Sequence, residues 1–277
     1  MSREAISEIP HIRQPVDISA PIRYAHGPHS SRQPGVPSGT ILDHEWTASS
    51  VFAGTSRRYW VYVPAQYTAS EPASLMVFQD GSRYLDPDDE MRVHIVFDNL
   101  IHRGEMPVTI GVFVEPGEPE NRNAEYDALS DDYATFLLTE ILPSVQESYL
   151  IADDPDRWAI GGASSGGSCA FTVAWTRPDR FRRVLSFLGS FAQIEGGNRY
   201  PELIHDTPKK PLRVFLQAAT RDLNWDAAEL NWFSANLRVA AALAERGYDL
   251  RLVLGDGGHD PNHGGAILPD ALRWLWS

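Results

Sequence analysis

Trp158-Ala159-Ile160-Gly161-Gly162-Ala163-Ser164-Ser165-Gly166-Gly167 decides how the rest of the chain reads. An apolar run ends in glycines, a serine sits among small residues, and a helix-like segment follows from Ser168 to Thr176. The order is strand, tight turn, helix. Within it, Gly162-Ala163-Ser164-Ser165-Gly166 spells G-x-S-x-G, which sets a serine at the apex of a sharp strand-to-helix turn. Such a serine has strained backbone angles and an exposed hydroxyl. The positions two residues either side must be small, because strand and helix converge there. The following helix aims its first N–H groups at whatever reacts with the hydroxyl. Clusters of glycine, serine and alanine also make ordinary loops, so the motif needs support from elsewhere. Ser165 is a rival nucleophile, being flanked by the small Ala163 and Gly167, but the full frame favours Ser164.

Working outward, strands alternate with helices. Thr47 to Phe52 and Arg58 to Pro64 predict a hairpin around Ala53-Gly54-Thr55. Ser74 to Gln79 and Val108 to Val114 read as buried strands, with a helix over Glu90 to Arg103 between them. Ser130 offers an N-cap to a helix carrying Tyr133, Phe136, Leu137, Ile141 and Val145, which Pro143 kinks or ends. Arg183 to Leu188, Leu212 to Gln217 and Leu250 to Leu254 are further strands. Ala227 to Arg246 is a helix closed by Gly247, and Gly264 to Trp276 is the last helix. The expected architecture is α/β: a mostly parallel central sheet with helices on both faces, entered through an antiparallel hairpin. Proline, glycine, serine and histidine crowd the stretch from about Ile9 to Thr40, so residues 1–40 read as an irregular arm and 41–277 as one catalytic domain.

Functional residues of open α/β sheets sit in the loops at the carboxyl ends of strands. Asp80-Gly81-Ser82-Arg83 follows one strand, Ser164 another, Thr220-Arg221-Asp222 a third, and Gly257-Gly258-His259-Asp260 the last. A serine hydroxyl needs a base to take its proton, and His259 has a pKa suited to the task. An acid must hold the imidazole, and Asp222 is the candidate, with Asp226 and Glu229 as rivals. The first oxyanion donor is the Ser165 N–H, and the second comes from Gly81 or Ser82. His259, Asp260 and His263 have spacing that would suit a metal on a helix, but Gly257, Gly258 and Pro261 argue against a helix there. No cofactor is expected.

Composition narrows the classes further. A net charge of −13 argues against a nucleic-acid partner. No run of 18 apolar residues suggests a membrane span. Met1 to Pro21 lacks a basic start followed by an apolar stretch, so no secretory signal is expected and cytoplasm is the default compartment. The single cysteine, Cys169, excludes an internal disulfide and reads as a small buried hydrophobe.

With these residues in view, the chain resembles the esterase family of α/β-hydrolases that includes enterochelin (siderophore) esterases, esterase D and feruloyl esterases. The resemblance runs from about Gly54 onward. It rests on Tyr-Trp-Val-Tyr-Val-Pro (59–64), Val-Phe-Gln-Asp-Gly (77–81), Glu-Tyr-Asp (125–127), Gly-Ala-Ser-Ser-Gly-Gly (162–167), Thr-Arg-Asp-Leu (220–223) and Gly-Gly-His (257–259). The enterochelin-esterase-like branch is most similar, through Leu185-Ser186-Phe187-Leu188-Gly189-Ser190-Phe191 and the C-terminal helix. The resemblance implies metal-independent hydrolysis of a small-molecule ester, with Ser164 as nucleophile, His259 as base and Asp222 as acid. Ala218-Ala219 stand where family members often carry Asp-Gly. Acyl transfer to an alcohol on the same triad and non-catalytic ligand binding are the alternatives. Trp225, Trp232, Phe191 and Tyr126 are candidates for lining a substrate pocket, and Arg83, Arg122 and Arg221 for holding an anionic group. Glu125 and Asp127 either orient a polar substrate or brace loops.

Overall fold

The computed structural model describes residues 22–277. Strands β1 (Thr40–Trp46), β2 (Arg57–Val63), β3 (Ser74–Gln79), β4 (Thr109–Val114), β5 (Trp158–Ala163), β6 (Arg183–Phe187), β7 (Arg213–Ala219) and β8 (Asp249–Gly255) form one sheet. Its order is β1-β2-β4-β3-β5-β6-β7-β8. β2 runs antiparallel to both neighbours, and the remaining pairs are parallel. The helices are α1 (Gly81–Leu85), α2 (Val93–His102), α3 (Arg122–Tyr126), α4 (Asp132–Phe136), α5 (Leu142–Ser148), α6 (Ser165–Thr176), α7 (Tyr200–Asp206), α8 (Trp232–Glu245) and α9 (Asn262–Trp276). The α/β expectation, with a mostly parallel sheet and an antiparallel hairpin, matches this topology.

Every residue of β3 and β4 is buried, as strands covered on both faces require. Alternate side chains feed opposite cores. Val77 and Val112 join Phe136, Phe171, Val239 and Leu243 on one side of the sheet. Phe78 and Phe113 join Phe97 and Leu100 of α2 and Leu268 and Leu272 of α9 on the other. Each fully buried aromatic or leucine in these layers contributes about 1.5–3 kcal/mol of transfer free energy.

Three local expectations give way. The first hairpin strand is Thr40–Trp46, not Thr47 to Phe52. The reason is Glu140, whose carboxylate accepts from the N–H groups of Ser50 and Val51, from the Ser50 hydroxyl and from the Trp46 indole. Residues that donate to a carboxylate cannot donate to a ladder. The helix does break at Pro143, as expected: a π turn, Leu137–Ile141, precedes α5, which carries Pro143 in its first turn. Asp131 rather than Ser130 holds the N-cap position of α4, although the Ser130 hydroxyl accepts the Asp132 N–H at 3.4 Å while donating to the Asp132 carboxylate. Finally, α8 begins at Trp232 rather than Ala227. Asn231 caps it by accepting the Ser234 N–H, and its amide group ties back the carbonyls of Trp225 and Ala227.

From residue 22 to Thr40 the chain is irregular apart from a 3-10 turn at Pro28–Ser30. The arm and signal readings over Met1 to Pro21 fall outside the described residues. Tyr24 ties this segment to the loop before α9: its backbone exchanges hydrogen bonds with Asn262 and its hydroxyl accepts from the Asp256 N–H. Arg23 pairs with Glu90. Despite burial, bonds from Asn262 and Arg23 hold the Glu90 carboxyl below its usual range.

Candidate active site

Ser164 joins β5 to α6 with φ 59° and ψ −131°, a strained conformation for a side-chain-bearing residue. The strain is held from several directions. Its N–H donates to the Phe187 carbonyl, and its own carbonyl accepts from the N–H groups of Gly167, Ser168 and Ser190. A Cβ on Gly162 would sit inside the Gly166 carbonyl, so that glycine is a steric requirement of the turn. Gly166 is less constrained, since its Cβ would lie 3.3 Å from Asp80 Oδ2.

His259 lies in the loop after β8 and Asp222 in the loop after β7. His259 Nε2 is 3.0 Å from Ser164 Oγ, and its Nδ1 is 2.6 Å from Asp222 Oδ1. Asp222 is fully buried, and Oδ1 also accepts the Leu223 N–H at 2.7 Å. Trp232 braces the imidazole edge-on, with ring centroids 4.7 Å apart. Asp226 and Glu229 are exposed in the connection before α8, away from this chain of bonds. Ser165 Oγ donates instead to Asp127 at 2.9 Å, and the residue is 2% exposed. The hydroxyl facing His259 is that of Ser164.

His263 sits in the first turn of α9, stacked on Tyr24 and 3.2 Å from the Gln217 amide nitrogen. Burial pushes its pKa down. Asp260 accepts the Asn262 N–H. His259, Asp260 and His263 thus face different partners.

Ser165 and Gly81 each open a helix, where an N–H has no intrahelical acceptor. The Ser82 N–H, the other expected donor, is spent on Glu115 at 2.9 Å. A Cβ on Gly81 would lie 2.6 Å from the Phe113 carbonyl carbon, so only glycine lets α1 start this close to β4. Asp80 before it adopts a left-handed conformation, φ 57°. Arg122 grips its carboxylate with two bonds of 2.6 and 2.7 Å. Burial opposes the Arg122 charge, but these bonds outweigh it and raise its pKa.

Ser164 and His259 open onto a cleft of about 240 Å³. Asp80, Arg83, Tyr84, Asp89, Met91, Arg122, Leu188 and Pro261 line it. Burial raises the Tyr84 pKa, keeping its phenol protonated. Among the expected substrate contacts, Arg83 lies on the cleft. Trp225 is 51% exposed beneath the Arg221 guanidinium. Trp232 is buried behind His259. Phe191 and Tyr126 depart from expectation: both are buried in the aromatic layer against α6, Phe191 on Phe171 and Tyr126 on Tyr133. Aromatic residues near a strand end serve the core as readily as a pocket. Glu125 turns inward to pair with the buried Arg57. Tyr84, Met91 and Leu188 were not anticipated as wall residues. Tyr84 was findable as the residue one turn beyond the Gly81 donor.

Residues 49–274 match the family described as "Putative esterase". The iron(III) enterobactin esterase of Dickeya dadantii is 27% identical over 255 residues, spanning 85% of this chain and 54% of the relative. The enterobactin esterase of Shigella flexneri, solved in the presence of enterobactin, superposes with a TM-score of 0.76 at 26% identity, over 93% of this chain and 62% of that one. A ferulic acid esterase shares the fold, with a TM-score of 0.70 at 18% identity, over 86% of this chain and 98% of that one. The chain spans about half the length of the enterobactin esterase from Dickeya dadantii. Matched over most of its own length by the family's profile, this chain belongs to the esterase family.

Proposed function

We propose that the protein is a serine carboxylic ester hydrolase working through an acyl-enzyme. The observation carrying this reading is the unbroken line Ser164 Oγ, His259 Nε2, His259 Nδ1, Asp222 Oδ1, with gaps of 3.0 and 2.6 Å. His259 takes the Ser164 proton as Oγ attacks the ester carbonyl. The tetrahedral oxyanion sits between the amides of Ser165 and Gly81. His259 then protonates the departing alcohol, leaving an acyl group on Ser164. Water enters and attacks the acyl carbonyl, giving a proton to His259, which returns it to Ser164 Oγ as the acid leaves. Asp222 holds the imidazole with Nδ1 protonated and stabilises the imidazolium.

The cleft suits an acyl group of modest size with hydrogen-bonding substituents, because Arg83, Asp89 and the Arg122–Asp80 pair share its lining with Met91 and Leu188. Enterobactin, from the names of the relatives, is the first natural ester to try, beside feruloyl esters and p-nitrophenyl acetate. The test is labelling with a fluorophosphonate followed by mapping of the modified residue. Modification of Ser164 with hydrolysis of at least one ester is expected. An unlabelled protein, or a label away from Ser164, refutes the reading. Product analysis in the presence of an alcohol separates hydrolysis from acyl transfer.

A further inference from the structure

Behind the nucleophile, on the side away from the cleft, one buried carboxylate gathers three serine hydroxyls. Asp127 follows α3 and is 7% exposed. Its Oδ2 accepts from Ser165 Oγ at 2.9 Å. Its Oδ1 faces Ser190 Oγ and, at 3.3 Å, Ser168 Oγ. The Ser168 and Ser190 hydroxyls are themselves 2.8 Å apart. The Asp127 carbonyl accepts the Glu195 N–H at 2.9 Å, so the residue is anchored at both ends.

Burying a carboxylate is costly unless its lone pairs are satisfied, and apolar packing of similar volume holds a turn more cheaply. Here the three hydroxyls come from the first turn of α6 and from the loop after β6, and the one Ser168 proton is shared with the Ser165 carbonyl at 3.0 Å. Ser165 and Ser168 form the first turn of α6, and the Ser190 N–H reaches the Ser164 carbonyl at 3.1 Å. A negative group behind the first turn also suits the helix dipole. The group most affected is the Ser165 amide. It opens the helix, so no intrahelical bond orients it. The bond from its own side chain to Asp127 at 2.9 Å fixes the residue, and with it the N–H that directly follows Ser164.

We propose that Asp127 is a positioning residue for the oxyanion-binding amide of Ser165, acting through the hydroxyls of Ser165, Ser168 and Ser190. The inference rests on the acyl-enzyme reading above. A displaced oxyanion donor weakens transition-state binding and leaves ground-state binding alone. The expected signature is therefore a split between kcat and KM, mirrored in the affinity for a tetrahedral adduct.

The experiment compares the wild type with Asp127→Ala, Asp127→Asn, Ser165→Ala and Ser190→Ala. It measures kcat and KM on p-nitrophenyl acetate, the Kd of phenylboronic acid, and the melting temperature. Asp127→Ala should lower kcat about 100-fold, the order seen when an oxyanion donor is lost or misplaced. KM should change less than about twofold, and the boronate should bind weaker by the same factor as kcat falls. Asp127→Asn should restore most of the loss, since its amide still accepts one hydroxyl and donates to another. Ser165→Ala and Ser190→Ala keep the carboxylate and should each lose roughly 3- to 10-fold in both quantities, as one ordinary hydrogen bond to a charged group is worth. They carry the test if Asp127→Ala does not fold. Unchanged kcat in folded Asp127→Ala, or in both serine variants, overturns the proposal. So does a fall in kcat with unaltered boronate affinity, or an effect on KM alone. A wild type that neither hydrolyses esters nor takes the fluorophosphonate refutes the esterase reading instead. An active, Ser164-labelled wild type with indifferent variants refutes only the role of Asp127.

Discussion

Tyr24 lies nearly parallel to the ring of His263, with centroids 4.1 Å apart. Its hydroxyl accepts the Asp256 N–H at 2.8 Å, three residues before the imidazole that faces Ser164. The arm thus clasps the loop that carries His259. Tyr24→Phe should cost about 1 kcal/mol of stability, the worth of one such bond. Tyr24→Ala should cost more and lower kcat several-fold by loosening the loop. Melting temperatures and steady-state kinetics of both variants check this. A Tyr24→Ala protein with wild-type kcat would mean that the loop holds itself.

Ser164→Ala should lower kcat by roughly six orders of magnitude, as loss of a triad serine does elsewhere. Ser165→Ala should lose only about 3- to 10-fold, because its hydroxyl bonds Asp127 and not His259. Kinetics and fluorophosphonate labelling of both distinguish them. Total loss in Ser165→Ala with an active Ser164→Ala would reverse the assignment.

Asp222→Asn should fold and lose about 10⁴-fold in kcat, because an amide no longer fixes the Nδ1-protonated imidazole. Asp226→Asn and Glu229→Gln should stay near wild type. Both residues are exposed in the β7–α8 connection. Comparable losses at either would move the acid there.

His94 on α2 is buried, and its pKa is pushed down to about 4 by burial first and then by the nearby Arg32 charge. Its unfolded value lies near 6.5. Between those values the unfolded chain binds the proton and the folded chain does not. Stability contributed by the neutral ring is therefore present above about pH 6.5 and is lost as pH falls toward 4. The loss is on the order of 3 kcal/mol by linkage. Urea unfolding at pH 7, 5.5 and 4.5 should show wild-type stability falling more steeply than that of His94→Leu. Parallel pH dependences would place the acid sensitivity elsewhere.

The sheet and the line from Ser164 to Asp222 were legible because each depends on local pattern. A strand buried on both faces is a continuous apolar run, as in Ser74–Gln79, and a strand-end loop announces itself through glycine and aspartate. β1 was misplaced because its residues are almost all exposed, leaving no apolar run to read. What keeps Ser50 and Val51 out of the ladder is Glu140, about 90 residues away, whose carboxylate takes their N–H groups. The two readings of Asp127 could not be separated for the same reason. The carboxylate and the three hydroxyls around it lie on three separate stretches of chain, and no periodicity links them. Phe191 and Tyr126 show the converse limit. Their positions near strand ends were read correctly, but the face they turn is set by packing against α6.

Among the three linked residues, Ser164 and His259 are 95 positions apart, and the histidine follows the last strand of the sheet. A ribosome adding about 5–20 residues per second needs roughly 5 to 20 s to travel from one to the other. During that interval the emerging chain carries the elbow but not the base that would activate it. On the acyl-enzyme reading proposed above, its reactivity is deferred until β8 has docked on β7, and the onset of ester cleavage during synthesis would report sheet completion rather than formation of the elbow.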